Sequence, residues 1–152
     1  MDTRELDTIL RANVDTCETF LGVYALDQLP SSSEVRQRSF LVCNCCPSTQ
    51  SGRHWIAVFY DRGQVEFFDS FGLPPNAYDA RVVTFLANLA TTTDDVLYNN
   101  VQLQSIESDA CGHYCVLYGV ERSRGGTFRG IVAEMEAMTR DNIIKYIVNT
   151  LC

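Results

Sequence analysis

The stretch that most constrains this chain is residues 104–117, QSIESDACGHYCVL. A polar loop, residues 105–109, runs straight into a Cys-Gly pair and then into an apolar segment. Val116, Leu117 and Val120 recur at helical spacing, which predicts a buried helix with Cys111 as its first residue. A thiol there sits at the positive end of the helix dipole, where the thiolate is favoured. The first-turn N–H groups have no partner inside the helix and are free to bind an oxyanion. The same residue also reads as a small buried core cysteine, the commoner fate of a single Cys. The rest of the chain has to separate the two.

At 152 residues and 46% hydrophobic content, the chain is expected to form one domain, residues 1–152, around one core. Its seven cysteines are an odd number, and no charged-then-apolar segment resembles a signal peptide. Free thiols in a reducing intracellular compartment are therefore expected. A net charge of −7 repels nucleic acid, and no apolar run reaches membrane-spanning length. Cys43, Cys45 and Cys46 form a C-x-C-C cluster whose spacing fits no usual zinc knuckle. Neither a metal nor another cofactor is expected.

In chain order, Asp2-Thr3-Arg4-Glu5 has the spacing of a capping box ahead of Leu6, Ile9 and Leu10, predicting a short amphipathic helix. The apolar run 20–26 is short and ends in a Pro-Ser break, and it reads as an irregular segment laid across the fold. Residues 39–45 read as a strand and 54–60 as a central strand, apolar on both faces. After the turn Asp61-Arg62-Gly63, residues 64–69 return antiparallel. A helix over 78–90, a strand over 96–104, the Cys111 helix and two closing helices, 128–138 and 140–151, complete an α+β order.

Only two histidines can serve Cys111 as a base. His113 lies two positions along the same helix and points to another face. His54 stands at the mouth of the central strand, where a side chain is both held and open to a cleft. As a purely structural residue it would simply bond a carbonyl. With a four-residue loop, 60–63, His54 opposes Asp69 across the hairpin, Cβ atoms roughly 4.5–5.5 Å apart. Asp69 then holds one imidazole nitrogen and leaves the other for Cys111. A three-residue loop would put Asp69 on the opposite face unless a bulge intervened. Gln104, at the end of the incoming strand, supplies an amide N–H for an oxyanion beside the Cys111 backbone N–H.

HW-(13 residues)-D followed by Q-(6 residues)-CG at the start of a helix resembles adenain, the adenovirus maturation protease, and the related SUMO-deconjugating proteases. Phe20-Leu21-Gly22-Val23-Tyr24, Asn44, Phe71-Gly72 and Thr139-Arg140-Asp141-Asn142 are similar to adenain segments, so the resemblance runs over about residues 4–150. It implies a circularly permuted papain-like architecture, with helices packed on a central, mostly antiparallel mixed sheet. It also implies a cysteine endopeptidase with His54 as base, Asp69 as its orienter, Gln104 in the oxyanion hole and Cys111 as nucleophile. The implied substrates are viral precursor proteins with Gly-rich sites, cut after small residues during virion maturation. The implied setting is host cytoplasm or nucleus, or the virion. Trp55 matches a SUMO-protease Trp that covers the Gly-Gly tail, which implies substrate binding; it also reads as a core aromatic.

The chain departs from adenain in its acidic balance and in Thr93, which stands where adenain has the cysteine that bonds its activating peptide. A C-terminal extension of the adenain kind is not expected. Neither a DNA activator nor a covalent peptide activator is expected, and a monomer is. Competing readings are a deconjugating isopeptidase for a ubiquitin-like modifier, an acetyl transferase of the same framework, and an inactive peptide-binding module.

Overall fold

The computed structural model describes residues 1–52, 54–92 and 95–151. Thr93 lies outside the described residues. The N-terminal capping box forms as the spacing predicts: the Asp2 carboxylate accepts from the Glu5 N–H, and Glu5 accepts from the Asp2 N–H, at 2.8 and 2.7 Å. It starts α1 (Thr3–Ala12), which buries Leu6 and Leu10.

Residues 20–24 are not irregular. They form strand β1 (Phe20–Tyr24), paired in parallel with β2 (Arg38–Asn44) at the edge of the sheet. An edge strand needs partners on one side only, and a short run broken by Gly22 shows no clear period in sequence. β3 (Trp55–Asp61) and β4 (Gln64–Phe68) add antiparallel to β2, and β5 (Val96–Tyr98) adds in parallel to β4. Spatial order follows chain order, giving a mixed five-stranded sheet with an antiparallel centre and parallel edges.

The β3–β4 turn is tighter than the four-residue loop expected. Asp61 pairs with Gln64, leaving Arg62 and Gly63 as a two-residue turn with φ of 49° and 97°. Both angles are positive, as the primed hairpin turns require, and such turns match the twist of the strands. Two residues fewer in the loop is an even change, so the two faces of β4 keep their side-chain assignment.

Both sheet faces are covered. Phe40, Val42, Ala57, Phe59 and Phe68 pack beneath α1, α3 (Cys111–Ser123), α4 (Phe128–Glu136) and α5 (Arg140–Leu151). Leu41, Ile56, Val58, Val65 and Phe67 face α2 (Ala80–Leu89) and Leu26. That double burial explains the continuous apolar run in β3. α3 lies so close to the sheet that a Cβ on Gly119 would stand 2.2 Å from the Phe40 ring.

One charged cluster crosses this core. Arg122 of α3 donates through Nε to both oxygens of Glu66 on β4, at 3.0 and 2.9 Å, and its guanidinium lies 4.7 Å over the Phe59 ring. The Tyr118 hydroxyl donates to the same carboxylate. Glu66 is 1% exposed, so these donors replace its water and lock the C-terminal half of α3 to the sheet.

Candidate active site

Cys111 is the first residue of α3, as the spacing predicts, and Ala110 before it offers no side-chain cap. The free N–H groups of that first turn are therefore not taken up by a side-chain cap. Burial would raise the Cys111 pKa, but it is lowered below its ordinary value by interaction with His54 and by the backbone N–H groups of Trp55 and Gly112. The helix start thus supplies part of what holds a thiolate.

His54 precedes β3, and its carbonyl accepts from the Cys45 N–H at 3.0 Å, which anchors the backbone beside β2. Its Nε2 donates to Asp69 Oδ1 at 2.6 Å. Nδ1 is buried and makes no hydrogen bond among the described residues. Since Nε2 is taken by Asp69, Nδ1 is the ring nitrogen left for the interaction with Cys111 that shifts both groups. Burial disfavours the imidazolium, but Asp69 and Cys111 together outweigh it and raise the His54 pKa to about 9. The opposite shifts of thiol and imidazole favour a thiolate–imidazolium pair.

Asp69 follows β4 and is fully buried. Four donors surround its carboxylate: His54 Nε2 and the Phe71 N–H on Oδ1, and the Leu73 N–H and Tyr78 hydroxyl on Oδ2, at 2.6 to 3.1 Å. Burial opposes ionisation, yet His54, Tyr78 and the Phe71 N–H hold its pKa below the ordinary carboxylate value. The backbone beneath is held too. The Asp69 N–H donates to Asn99 Oδ1 at 3.0 Å, and Asn99 Nδ2 donates to the Asp69 carbonyl at 2.5 Å.

Those Asn99 bonds explain why the strand expected over 96–104 stops at Tyr98. Beyond it the chain is fastened by side chains and single backbone bonds instead of a ladder. The Ser70 carbonyl accepts from both Leu103 and Gln104 N–H groups at 2.9 Å. Gly72, at φ 72°, lets the two segments touch, since a Cβ there would meet the Val101 carbonyl at 2.5 Å.

Gln104 accordingly sits in a loop, not on a strand, and is 2% exposed. Its Nε2 donates to the Ser108 carbonyl at 2.7 Å, and its Oε1 accepts from the Ser70 hydroxyl at 2.6 Å. Trp55 is buried on β3, with its indole N–H donating to the Met1 carbonyl at 3.1 Å. It borders a concavity of about 250 Å³ that is also lined by Tyr24, Gln28, Asn44, Cys46 and Gly52. His113 is half-buried on α3 and makes no bond to the Cys111–His54–Asp69 group.

The chain is similar in fold to the ASFV pS273R protease. Two crystal structures of that protein match. One has a TM-score of 0.60 at 18% identity, covering 95% of this chain and 64% of that one. The other, of the Se-Met form, has a TM-score of 0.55 at 21% identity, covering 74% and 43%. This chain thus spans less than two thirds of that protease in either match. The likeness is one of fold, and it carries no argument toward adenain in particular. No family model and no curated protein sequence matches.

Three residues around the site escaped the sequence reading. Tyr78 and Asn99 reach Asp69 from loops nine and thirty residues away, and no spacing rule marks them. Ser70 directly follows Asp69, and nothing in the sequence pattern sets it apart. Among the described residues no three His, Cys, Asp or Glu side chains converge as a metal site, and no helix is long and apolar enough to cross a membrane.

Proposed function

We propose that this chain is a cysteine endopeptidase that cuts precursor proteins after small residues such as Gly. The observation that carries the reading is the His54 ring, bonded through Nε2 to Asp69 with Nδ1 left free for Cys111 at a helix N-terminus. That is the geometry of a base, its orienter and a low-pKa nucleophile.

In the reaction, the Cys111 thiolate attacks the scissile carbonyl carbon, and the carbonyl electron pair moves onto oxygen. The Cys111 backbone N–H and the second Gln104 Nε2 hydrogen receive that oxyanion. Collapse expels the amine, which takes the proton from His54 Nδ1 and leaves a thioester. Water then attacks the thioester, giving its proton to Nδ1. A second collapse releases the carboxylic acid and restores the thiolate and imidazolium. Asp69 keeps the ring oriented throughout and stabilises its cationic form.

Beside the nucleophile, α3 packs closely against the N-terminal segment and Trp55. A Cβ on Gly112 would stand 3.0 Å from Met1 Cβ and 3.4 Å from the Trp55 ring. Trp55 and the concavity beside it form the wall against which a substrate backbone lies. The proposed setting is virion maturation in an infected cell, acting as a monomer without DNA or a covalently bound peptide.

Incubation with a library of Gly-containing peptides, read by mass spectrometry, tests this. Cleavage after Gly by the wild type and none by Cys111→Ala is expected. Cleavage confined to Lys-linked isopeptides would make the protein a deconjugase instead. Peptide binding without turnover would make it a binding module.

A further inference from the structure

Resting on the proteolytic reading above, we propose that Ser70 is a positioning residue for the oxyanion hole, acting through the Gln104 side-chain amide. A primary amide has two ends of nearly equal shape, and only one of them donates. The Ser108 carbonyl can only accept, so the Gln104 end that meets it at 2.7 Å must be the NH₂ group. The other end is then Oε1, and the Ser70 hydroxyl 2.6 Å away must donate to it. Ser70 and Gln104 are 0% and 2% exposed, so no water substitutes for either bond.

The two bonds grip the amide at both ends and define its plane. One Nε2 hydrogen is spent on Ser108, and the other is fixed in direction rather than free to rotate away. Without the Ser70 hydroxyl, Oε1 becomes an unpaired buried acceptor, and the amide is driven to turn toward another donor. The Ser70 carbonyl holds the same residue from below by accepting the Gln104 N–H.

Ser70 also directly follows Asp69, whose backbone Asn99 clamps on both its N–H and its carbonyl. One dipeptide at the end of β4 thereby aims both halves of the machinery. Asp69 turns the imidazole toward the sulfur, and Ser70 turns the amide toward the developing oxyanion. A displacement of this corner would misalign base and oxyanion donor together.

The test compares two reactions of the same thiolate in the full-length chain. Hydrolysis of a fluorogenic peptide amide ending in Gly passes through an oxyanion, whereas alkylation of Cys111 by iodoacetamide, a displacement at a saturated carbon, does not. Ser70→Ala is expected to lower kcat about ten- to a hundredfold, somewhat less than loss of the donor itself. KM should change by less than about twofold, and the alkylation rate should stay at the wild-type value. Adding Ser70→Ala to Gln104→Ala should cost nothing further, because both remove one function. If Ser70→Ala does not fold, Ser70→Cys, close in shape but a much weaker donor, must show the same split.

Additive losses in the double variant, or alkylation falling in step with kcat, would overturn the inference and make Ser70 a structural residue. An unchanged kcat in Ser70→Ala, in a wild type that cleaves, would overturn it as well. A wild type whose Cys111 is alkylated no faster than its other cysteines overturns the proteolytic reading itself.

Discussion

The Phe71 ring lies nearly parallel to the His54 imidazole, with centroids 4.3 Å apart and planes inclined by 20°. Phe71 lies beyond the last ladder pair, Ala57 with Phe68, in a turn closed by the Gly72 N–H donating to the Asp69 carbonyl at 2.9 Å. The aromatic backs the imidazole while Asp69 grips it through Nε2.

Phe71→Ala should accordingly loosen the ring without removing any chemical group. We expect kcat to fall by about tenfold, in the lower part of the range for perturbing a general base, with Cys111 still labelled ahead of the other cysteines. Wild-type kcat in this variant would mean that Asp69 alone orients His54.

Tyr78→Phe removes one of the four donors to Asp69. A hydrogen bond to a charged group is worth about 1.5–3 kcal/mol, and a loss on that scale is expected in denaturant unfolding at neutral pH. The sign on the imidazole is opposite to that on stability. With fewer donors, the carboxylate bonds His54 more strongly, so the imidazolium is held to higher pH. The alkaline limb of the rate profile should move upward. A downward shift would contradict the assigned direction of the bond.

The pH dependence of alkylation follows from the paired shifts. The reactive ion pair exists above the lowered pKa of Cys111 and below the raised pKa of His54, about 9. Reactivity toward iodoacetamide should therefore appear below the usual thiol range, and peptide turnover should fall as pH rises through about 9. For stability, the raised His54 pKa contributes fully below its unfolded value and is lost through about 9. The lowered Asp69 pKa contributes above the ordinary carboxylate value and is lost as pH falls through its folded value. His54→Ala should abolish the early onset of alkylation; if the onset is unchanged, the helix N-terminus alone activates the thiol.

Arg122→Ala removes the cation paired with Glu66 in the core and leaves the Tyr118 hydroxyl on that carboxylate, which costs about 3–5 kcal/mol. A large drop in thermal stability is expected, with the pH onset of Cys111 alkylation unchanged in the folded protein. The reason is position: Arg122 lies three turns along α3 from Cys111. A changed onset would mean that this ion pair holds the helix start in place as well as the helix end.

Much was legible in the sequence because it depends on neighbours along the chain. The capping box at Asp2, the helix beginning at Cys111 and the apolar run of β3 each follow from spacing within a few residues. So does the orientation of His113, which helix geometry alone keeps from facing the residue two positions before it. The parity of the hairpin was legible too, because any even loop keeps His54 and Asp69 on one face. Which even number applies was decided by the positive φ angles of Arg62 and Gly63. Only the tertiary structure brought Phe20–Tyr24 to the sheet edge and turned residues 99–104 from a ladder into a clasp around Asp69 and Ser70. Those features rest on hydrogen bonds between segments about twenty to thirty residues apart, and periodicity carries no information about partners at that distance. The same holds for Tyr78 on Asp69 and Ser70 on Gln104: each is an ordinary polar residue in a loop until burial removes water and leaves it a single partner.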